Sequence, residues 1–342
     1  MLARLRLVFR AVLISSDSRT RTYDHSINSA VLYQLSYVGK TAPKLPFRHR
    51  GVKQNTRTLR ALYDTRSDVM PELPEVEHAR RCLQRWIGSA QLVSAKVLDP
   101  RILKGSASVG VVQNTLRDRS IQRVTRRGKW LRIEMGPLPK RPTLLFSHLG
   151  MTGKWVLAPA DEPVRFEKVR FTIEKRGARR FVSFIDPRLF GRFFLASADP
   201  PEWNALGPDP LLDGIDVVAL SGKLARRSAS IKPTLLDQSV LAGIGNIQAT
   251  EALFFSRIDP RRPARSLSRT DVTALAAALQ QTIERTLLAQ AGPKIMYVEE
   301  AGAQNPFVIY EREGEPCPRC RRPLHKIFLS GRGSVFCPHC QR

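Results

Sequence analysis

A chain of 342 residues is longer than one hydrophobic core usually organises, so two or three domains are expected. Its 56 Lys and Arg against 30 Asp and Glu leave a formal net charge of +26, and no uninterrupted apolar run of about 18 residues is present, which excludes an ordinary membrane-spanning helix. The 42% hydrophobic content suffices for packed cores, so the charge is not that of a disordered tail, and a folded protein this basic calls for a polyanion such as nucleic acid.

Residues 1–69 differ from all that follows. They hold 13 Lys and Arg and 4 Asp, with no Glu and no Cys, and show no sustained period beyond the first dozen residues. Arg4, Arg6 and Arg10 among Leu, Val and Phe suit a short basic amphipathic helix, as in a mitochondrial transit peptide. The plainer reading, preferred here, is an extension that arises from a start assigned too far upstream or that is removed.

From residue 70 the pattern sharpens into what reads as a first domain over 70–201. Val76, Ala79, Cys82, Leu83, Trp86 and Ile87 mark one helix face, with Glu75 and Glu77 near its start and Gly88 at its end. Cys82 reads as a buried helix residue. Short alternating runs follow at 91–98, 120–125, 130–135, 143–149, 169–173 and 180–185, separated by turns as in an antiparallel sandwich. A second domain, 202–306, carries helical periods at 217–226, 233–238, 247–256 and 271–288. There the glycine turn at Gly243 and Gly245 makes a helix–two-turn–helix unit, with Asn246 as a suitable cap for the second helix. A helix N-terminus with free N–H groups is a natural phosphate site.

The last module, 307–342, is set by four of the five cysteines. Cys317 and Cys320, then Cys337 and Cys340, form two C-x2-C pairs around a spacer of 16 residues. That is the spacing of one closed, structural zinc in a reducing compartment; four cysteines leave no open position for catalysis by the metal. The segment between them reads as a β-hairpin carrying Arg332. The fold class is therefore α+β multidomain: an N-terminal antiparallel β-sandwich, a helical domain and a C-terminal four-cysteine zinc finger.

The run Met70-Pro71-Glu72-Leu73-Pro74-Glu75-Val76-Glu77 resembles the start of formamidopyrimidine-DNA glycosylases. The resemblance continues in family order through Arg127-Gly128-Lys129, His148-Leu149-Gly150-Met151-Thr152-Gly153, Asp186-Pro187-Arg188-Leu189-Phe190-Gly191, Ile231-Lys232, Leu236-Asp237-Gln238, Gly243-Ile244-Gly245-Asn246-Ile247 and the four cysteines. It implies a base-excision-repair glycosylase with lyase activity toward abasic sites, acting on 8-oxoguanine and formamidopyrimidines in double-stranded DNA, with zinc as its one metal. In such a family the initiator methionine is lost and the proline becomes the N-terminus. A secondary amine there can attack the sugar C1′ and form an iminium, whereas an internal proline nitrogen is an amide and cannot.

The resemblance makes Pro71 the nucleophile, Glu72 the proton shuttle, Lys129 the residue of β-elimination and Arg332 that of δ-elimination, with a supporting role for Glu75. It assigns Met151, Arg188 and Phe190 to the gap left by an extruded nucleotide, an apolar wedge and a cationic donor being suited to that task. Arg227 and Asn246 fall to phosphates and Lys232 to the damaged nucleotide. Read from residue type alone, each has a plainer role: helix starts for Pro71 and Glu72, core packing for Met151 and Phe190, solvated cations for Lys129, Arg227 and Arg332.

Two departures stand out. A histidine common in the family is absent near Phe166, where Arg165 or Lys168 is the substitute, and the tyrosine after Gly-x-Gly-Asn-Ile is Gln248. The loop from Tyr297 to Pro306 covers the flipped base in the family. The competing readings are an endonuclease VIII-like glycosylase for oxidised pyrimidines and, were residues 1–69 retained, a non-catalytic damage-binding protein. The expectations are completed by a monomer, cytoplasmic and associated with a bacterial nucleoid, with mitochondrial import as the minority reading.

Overall fold

The computed structural model describes residues 71–104, 107–136, 143–158, 162–295, 297 and 305–342. The expected extension over 1–69, with Met70, lies outside the described residues.

Helix α1 (Leu73–Ile87) opens the described chain. Pro74 in its first turn costs no hydrogen bond, because first-turn N–H groups have no helical partner. A reciprocal box closes that turn: the Glu72 backbone N–H donates to Glu75 Oε2 at 3.0 Å. The helix packs its Val76–Ala79–Cys82–Leu83–Trp86 face into the core of the sheet that follows.

That sheet has eight strands, every neighbouring pair antiparallel: β1 (Gln91–Val97), β2 (Arg119–Arg127), β3 (Trp130–Gly136), β4 (Thr143–His148), β5 (Lys154–Ala158), β6 (Glu167–Lys175), β7 (Ala178–Ile185) and β8 (Arg192–Ala196). The order is β5-β7-β6-β1-β2-β3-β4-β8. It is a sandwich made from one sheet. β1 pairs with β6 along nearly its whole length but with β2 only at Gln91 and Leu92, so the sheet parts there into two halves of four strands. The halves face each other across aromatic rings: Trp155 of β5 packs on Phe193 of β8, the opposite end of the order, with centroids 5.4 Å apart. Trp155 is fully buried. Hairpin β6–β7 is closed by a two-residue turn, Arg176 and Gly177, both with positive φ, standing in open space.

Two of these strands, β5 and β8, and a short helix α2 (Val109–Leu116) were not expected from the sequence pattern. The helical part holds α3 (Pro201–Asn204), α4 (Val217–Ala225), α5 (Ile231–Leu236), α6 (Asn246–Phe255) and α7 (Arg269–Ala289). Their core joins Leu220, Leu235, Ile244, Leu253, Leu275 and Leu279, and it includes Leu73 from α1. The first turn of α1 thus belongs to the helical core, while the rest of the helix belongs to the sandwich core.

The finger hairpin is β9 (His325–Leu329) with β10 (Arg332–Phe336), turning at Ser330 and Gly331. Its small core of Ile309, Leu324 and Val335 packs on Phe254 of α6. No helix among the described residues is long and apolar enough to cross a membrane.

Candidate active site and metal centre

The chain after Pro71 lies on the glycine turn between α5 and α6. Pro71 is buried, and the Leu73 N–H donates to the Gly243 carbonyl at 3.0 Å. Glu72 then inserts its carboxylate into the start of α6, accepting from the Ile247 N–H at 2.8 Å and the Gln248 N–H at 3.0 Å. Such closeness demands a residue without a side chain at 245: a Cβ on Gly245 would stand 2.2 Å from Glu72 Cδ.

This corrects two expectations. Asn246 is not the helix cap; Gly245 holds that position and Asn246 is the first helical residue. The α6 N-terminus also does not offer all its donors to a phosphate, because Glu72 takes two of them. Asn246 retains a buried Oδ1 with no hydrogen-bond partner among the described residues.

Around Glu72 the structure gathers further ionisable groups. Burial is the strongest influence on the Glu72 carboxyl and pushes it up, against the pull of Lys129 and of the two N–H groups. Glu75 is pushed up to about 7, first by burial and then by the neighbouring Glu72. The Gln290 side-chain amide donates to its Oε1 at 2.6 Å. Lys129, which residue type alone would leave solvated, is almost fully buried at 9% exposure. Burial pushes its ammonium down; Glu72 and Glu75 oppose the shift and Arg332 adds to it. Arg332 also acts on Lys232, so the finger hairpin, the β2–β3 turn and the start of α1 bring their charges to one place. A carboxyl held toward its acid form and an amine held toward its base form suit proton transfer near neutrality.

Lys232 lies inside the structure, with no exposed surface. Its ammonium donates to Thr250 Oγ1 at 2.8 Å, the Gly333 carbonyl at 2.9 Å and Ser334 Oγ at 2.7 Å, joining α5 and α6 to β10 beside Arg332. Burial brings it down to about 7.

The other expected DNA contacts lie on two loops and a helix end. Met151 is half-buried and Arg188 exposed, while Phe190 keeps 42% of its surface. The Arg188 guanidinium lies 4.7 Å from the Phe190 ring centre. Their loops are fastened together. Asp186 accepts from Thr152 Oγ1 at 2.5 Å, from the Arg188 N–H at 3.2 Å and from the Gly191 N–H at 2.6 Å. Arg227, just past α4, is paired with Asp237 at 3.0 Å on the surface. Near Phe166, Lys168 reaches Asp99 at 3.3 Å and the Arg165 guanidinium lies over the Phe166 ring.

The four cysteine sulfurs lie within 4.8 Å of one another, with Cys320–Cys337 at 3.5 Å and Cys317–Cys340 at 4.0 Å. A tetrahedral zinc with bonds of about 2.3 Å needs sulfurs roughly 3.8 Å apart, so this donor set fits one ion. Turns at each pair hold the sulfurs: the Arg321 N–H donates to the Cys317 carbonyl at 2.9 Å and the Gln341 N–H to the Cys337 carbonyl at 3.0 Å.

Sequence reasoning missed Asp209 and Arg126, a fully buried pair beside Lys129. The available signal was an aspartate between two prolines, Pro208 and Pro210, in the link that enters the helical part.

A sandwich, a helix–two-turn–helix unit and a four-cysteine finger, with carboxyls, a buried lysine and a hairpin arginine meeting between them, define the DNA-glycosylase class of repair protein. Three family models match in this same order: the formamidopyrimidine-DNA glycosylase N-terminal domain over 70–193, the H2TH domain of the same enzymes over 206–295, and the zinc finger found in FPG and IleRS over 314–342. The chain is 36% identical over 278 residues to the formamidopyrimidine-DNA glycosylase of Herpetosiphon aurantiacus, covering 80% of this chain and 100% of that protein. Among solved structures it resembles the Lactococcus lactis Fpg in complex with abasic-site DNA, at TM-score 0.70 and 30% identity over 79% of this chain and 99% of that one. It also resembles the same protein bound to DNA carrying an N7-benzyl-Fapy-dG lesion, at TM-score 0.71 and 30% identity over 80% of this chain and 100% of that one. The chain belongs to the formamidopyrimidine-DNA glycosylase family.

Proposed function

We propose that the protein excises oxidised purines, 8-oxoguanine and formamidopyrimidines, from double-stranded DNA and then cuts the strand at the abasic site. The observation that carries this reading is the docking of Pro71-Glu72 on the glycine turn, within the field of Lys129, on which Arg332 also acts.

With its nitrogen as the N-terminal amine, Pro71 attacks C1′; the bond from C1′ to the base breaks and the electron pair leaves with the base, which takes up a proton. Glu72 is suited to give and retrieve protons at the sugar, because burial favours its acid form. The attacking nitrogen gives up its proton and the C1′–O4′ bond then opens, O4′ taking up a proton, which leaves the iminium. This acidifies C2′; loss of that proton expels the 3′ phosphate, and loss of the C4′ proton then expels the 5′ phosphate. Lys129 is assigned to the first elimination and Arg332 to the second. Met151, Arg188 and Phe190 fill the vacated stack, and Asn246 and Arg227 hold phosphates. Zinc, held by Cys317, Cys320, Cys337 and Cys340, fixes the finger fold and takes no part in the chemistry. The protein acts as a monomer, in the bacterial cytoplasm with the nucleoid, with mitochondrial import as the other location.

The test is borohydride trapping on an 8-oxoguanine duplex, comparing the full chain with one whose first residue is Pro71. A covalent adduct is expected only from the latter, and its absence there would overturn the reading. A second reading rests on Pro71 being preceded by 70 residues in this sequence. If these stay attached, the nitrogen is an amide and the protein only binds damage, giving tight lesion binding without adduct. Faster release of thymine glycol than of 8-oxoguanine would instead place it with the pyrimidine enzymes.

A further inference from the structure

Lys129 sits in an unusual setting for a reactive group. Arg127 pairs with Trp130 across the β2–β3 hairpin, so Gly128 and Lys129 are the whole of its turn. A two-residue hairpin tip of this kind normally stands in solvent and is mobile. The positive φ of Gly128, +54°, is what such a turn requires at its first position.

Here the tip is clamped from the link between the sandwich and the helical part. Asp209, with no exposed surface, accepts from the Gly128 N–H at 2.7 Å through Oδ2. The same carboxylate takes both ends of the Arg126 guanidinium, at 2.5 and 3.0 Å, and accepts from the Leu211 and Leu212 N–H groups. Arg126, whose side chain is also fully buried, continues to Glu77 of α1 at 3.2 Å and donates to the Gly128 carbonyl at 3.0 Å. Both backbone polar groups of Gly128 are therefore held by one buried ion pair. The Arg127 guanidinium adds bonds to the carbonyls of Leu206 and Gly207.

We propose that Asp209, with Arg126, is a positioning residue for Lys129: it fixes the two-residue turn so that the buried amine is held at the sugar when the iminium eliminates. A buried pair of this kind adds little to stability compared with an apolar replacement, but removing one partner strands the other charge. Its clear geometric product is a hairpin tip with one conformation. The proposal rests on the elimination role given to Lys129 above.

The test separates the two claims. Abasic-site DNA is presented to the mature zinc-loaded enzyme in single turnovers, and iminium formation (by borohydride trapping) is timed separately from strand cleavage. Asp209→Asn keeps the shape of the side chain but lacks the charge. It is expected to trap at nearly the wild-type rate and to cleave at least about tenfold more slowly, as displacement of a reacting group does. Lys129→Met should slow the same step, and the double variant should be no slower than Lys129→Met, because the two act as one. Multiplying effects in the double variant, or equal slowing of trapping and cleavage by Asp209→Asn, would overturn the proposal and leave the role of Lys129 standing. Cleavage at the wild-type rate by Lys129→Met would bring down both. Should Asp209→Asn fail to fold, Gly128→Ala moves the turn from its other side with Asp209 intact, since its Cβ would lie 3.2 Å from Ala242 Cβ and from the Gly243 nitrogen at a strained φ. The same loss confined to cleavage is expected of Gly128→Ala, and wild-type cleavage by it would count against the proposal.

Discussion

Glu75 shows how much of the site depends on single buried atoms. Its carboxyl is pushed up to about 7 by burial and by Glu72, against an ordinary value of 4.5. Between those two pH values the unfolded chain gives up this proton while the folded chain keeps it, so the contribution falls as pH rises and is flat outside that window. Glu75→Gln cannot ionise and should remove the fall, on the order of 3 kcal/mol between pH about 4.5 and about 7. Gln290 can accommodate the amide, since its own Oε1 has no partner among the described residues and turning the group over presents it. Denaturant unfolding of both proteins at several pH values checks this; parallel curves would contradict it. Gly245→Ala makes a different demand, forcing a Cβ to within 2.2 Å of the Glu72 carboxyl. Single-turnover excision by that variant is expected to fall on the order of 100-fold, with the cores unchanged. The sequence pointed to Pro71, Glu72 and Lys129 through their motifs. It could not show that Lys232 is buried, because a lysine is solvated by default and only the arrival of β10, about a hundred residues later, encloses it.

At the level of elements, the finger is a separate small core that delivers Arg332. Its residues Ile309, Leu324 and Val335 pack on Phe254 and are absent from the sandwich core. Removing zinc, by a chelator or by Cys337→Ser, should therefore release β9 and β10 while the main thermal transition persists. Expected together are faster amide exchange in 332–336 and products that stop at β-elimination; a wild-type product pattern without zinc would refute this. The elements legible in sequence were those with clear periods, such as α1, α7 and the long strands. β8 was missed because its Phe193-Phe194-Leu195 run does not alternate, and β5 because it is five residues long and follows a glycine loop. α2 is a helix of β-branched residues with Gly110 inside, a composition that reads against helix until Ser108 caps it and Val112 and Leu116 find the core.

For the whole molecule, the net charge, +26 for the full chain and still +17 from residue 70 onward, sets the solution behaviour. Affinity for duplex DNA should drop on the order of 1,000-fold between about 50 and about 200 mM salt, because contacts to phosphate release counterions. A fluorescence titration at several salt concentrations measures it, and a flat dependence would argue against binding through Lys and Arg contacts to phosphates. The architecture was readable from the order of its periods and cysteines, but the junction was not: that Leu73 belongs to the helical core while Val76 belongs to the sandwich core is a fact of packing alone. The β6–β7 turn offers the opposite environment. At Arg176 and Gly177 the backbone is exposed, and a Cβ added at Gly177 would meet nothing within 4 Å beyond its chain neighbours, whereas Pro71 is buried at the site. A dye or affinity handle for following this protein on DNA therefore belongs in that turn rather than ahead of Pro71, where the label itself would cap the amine it is meant to report on.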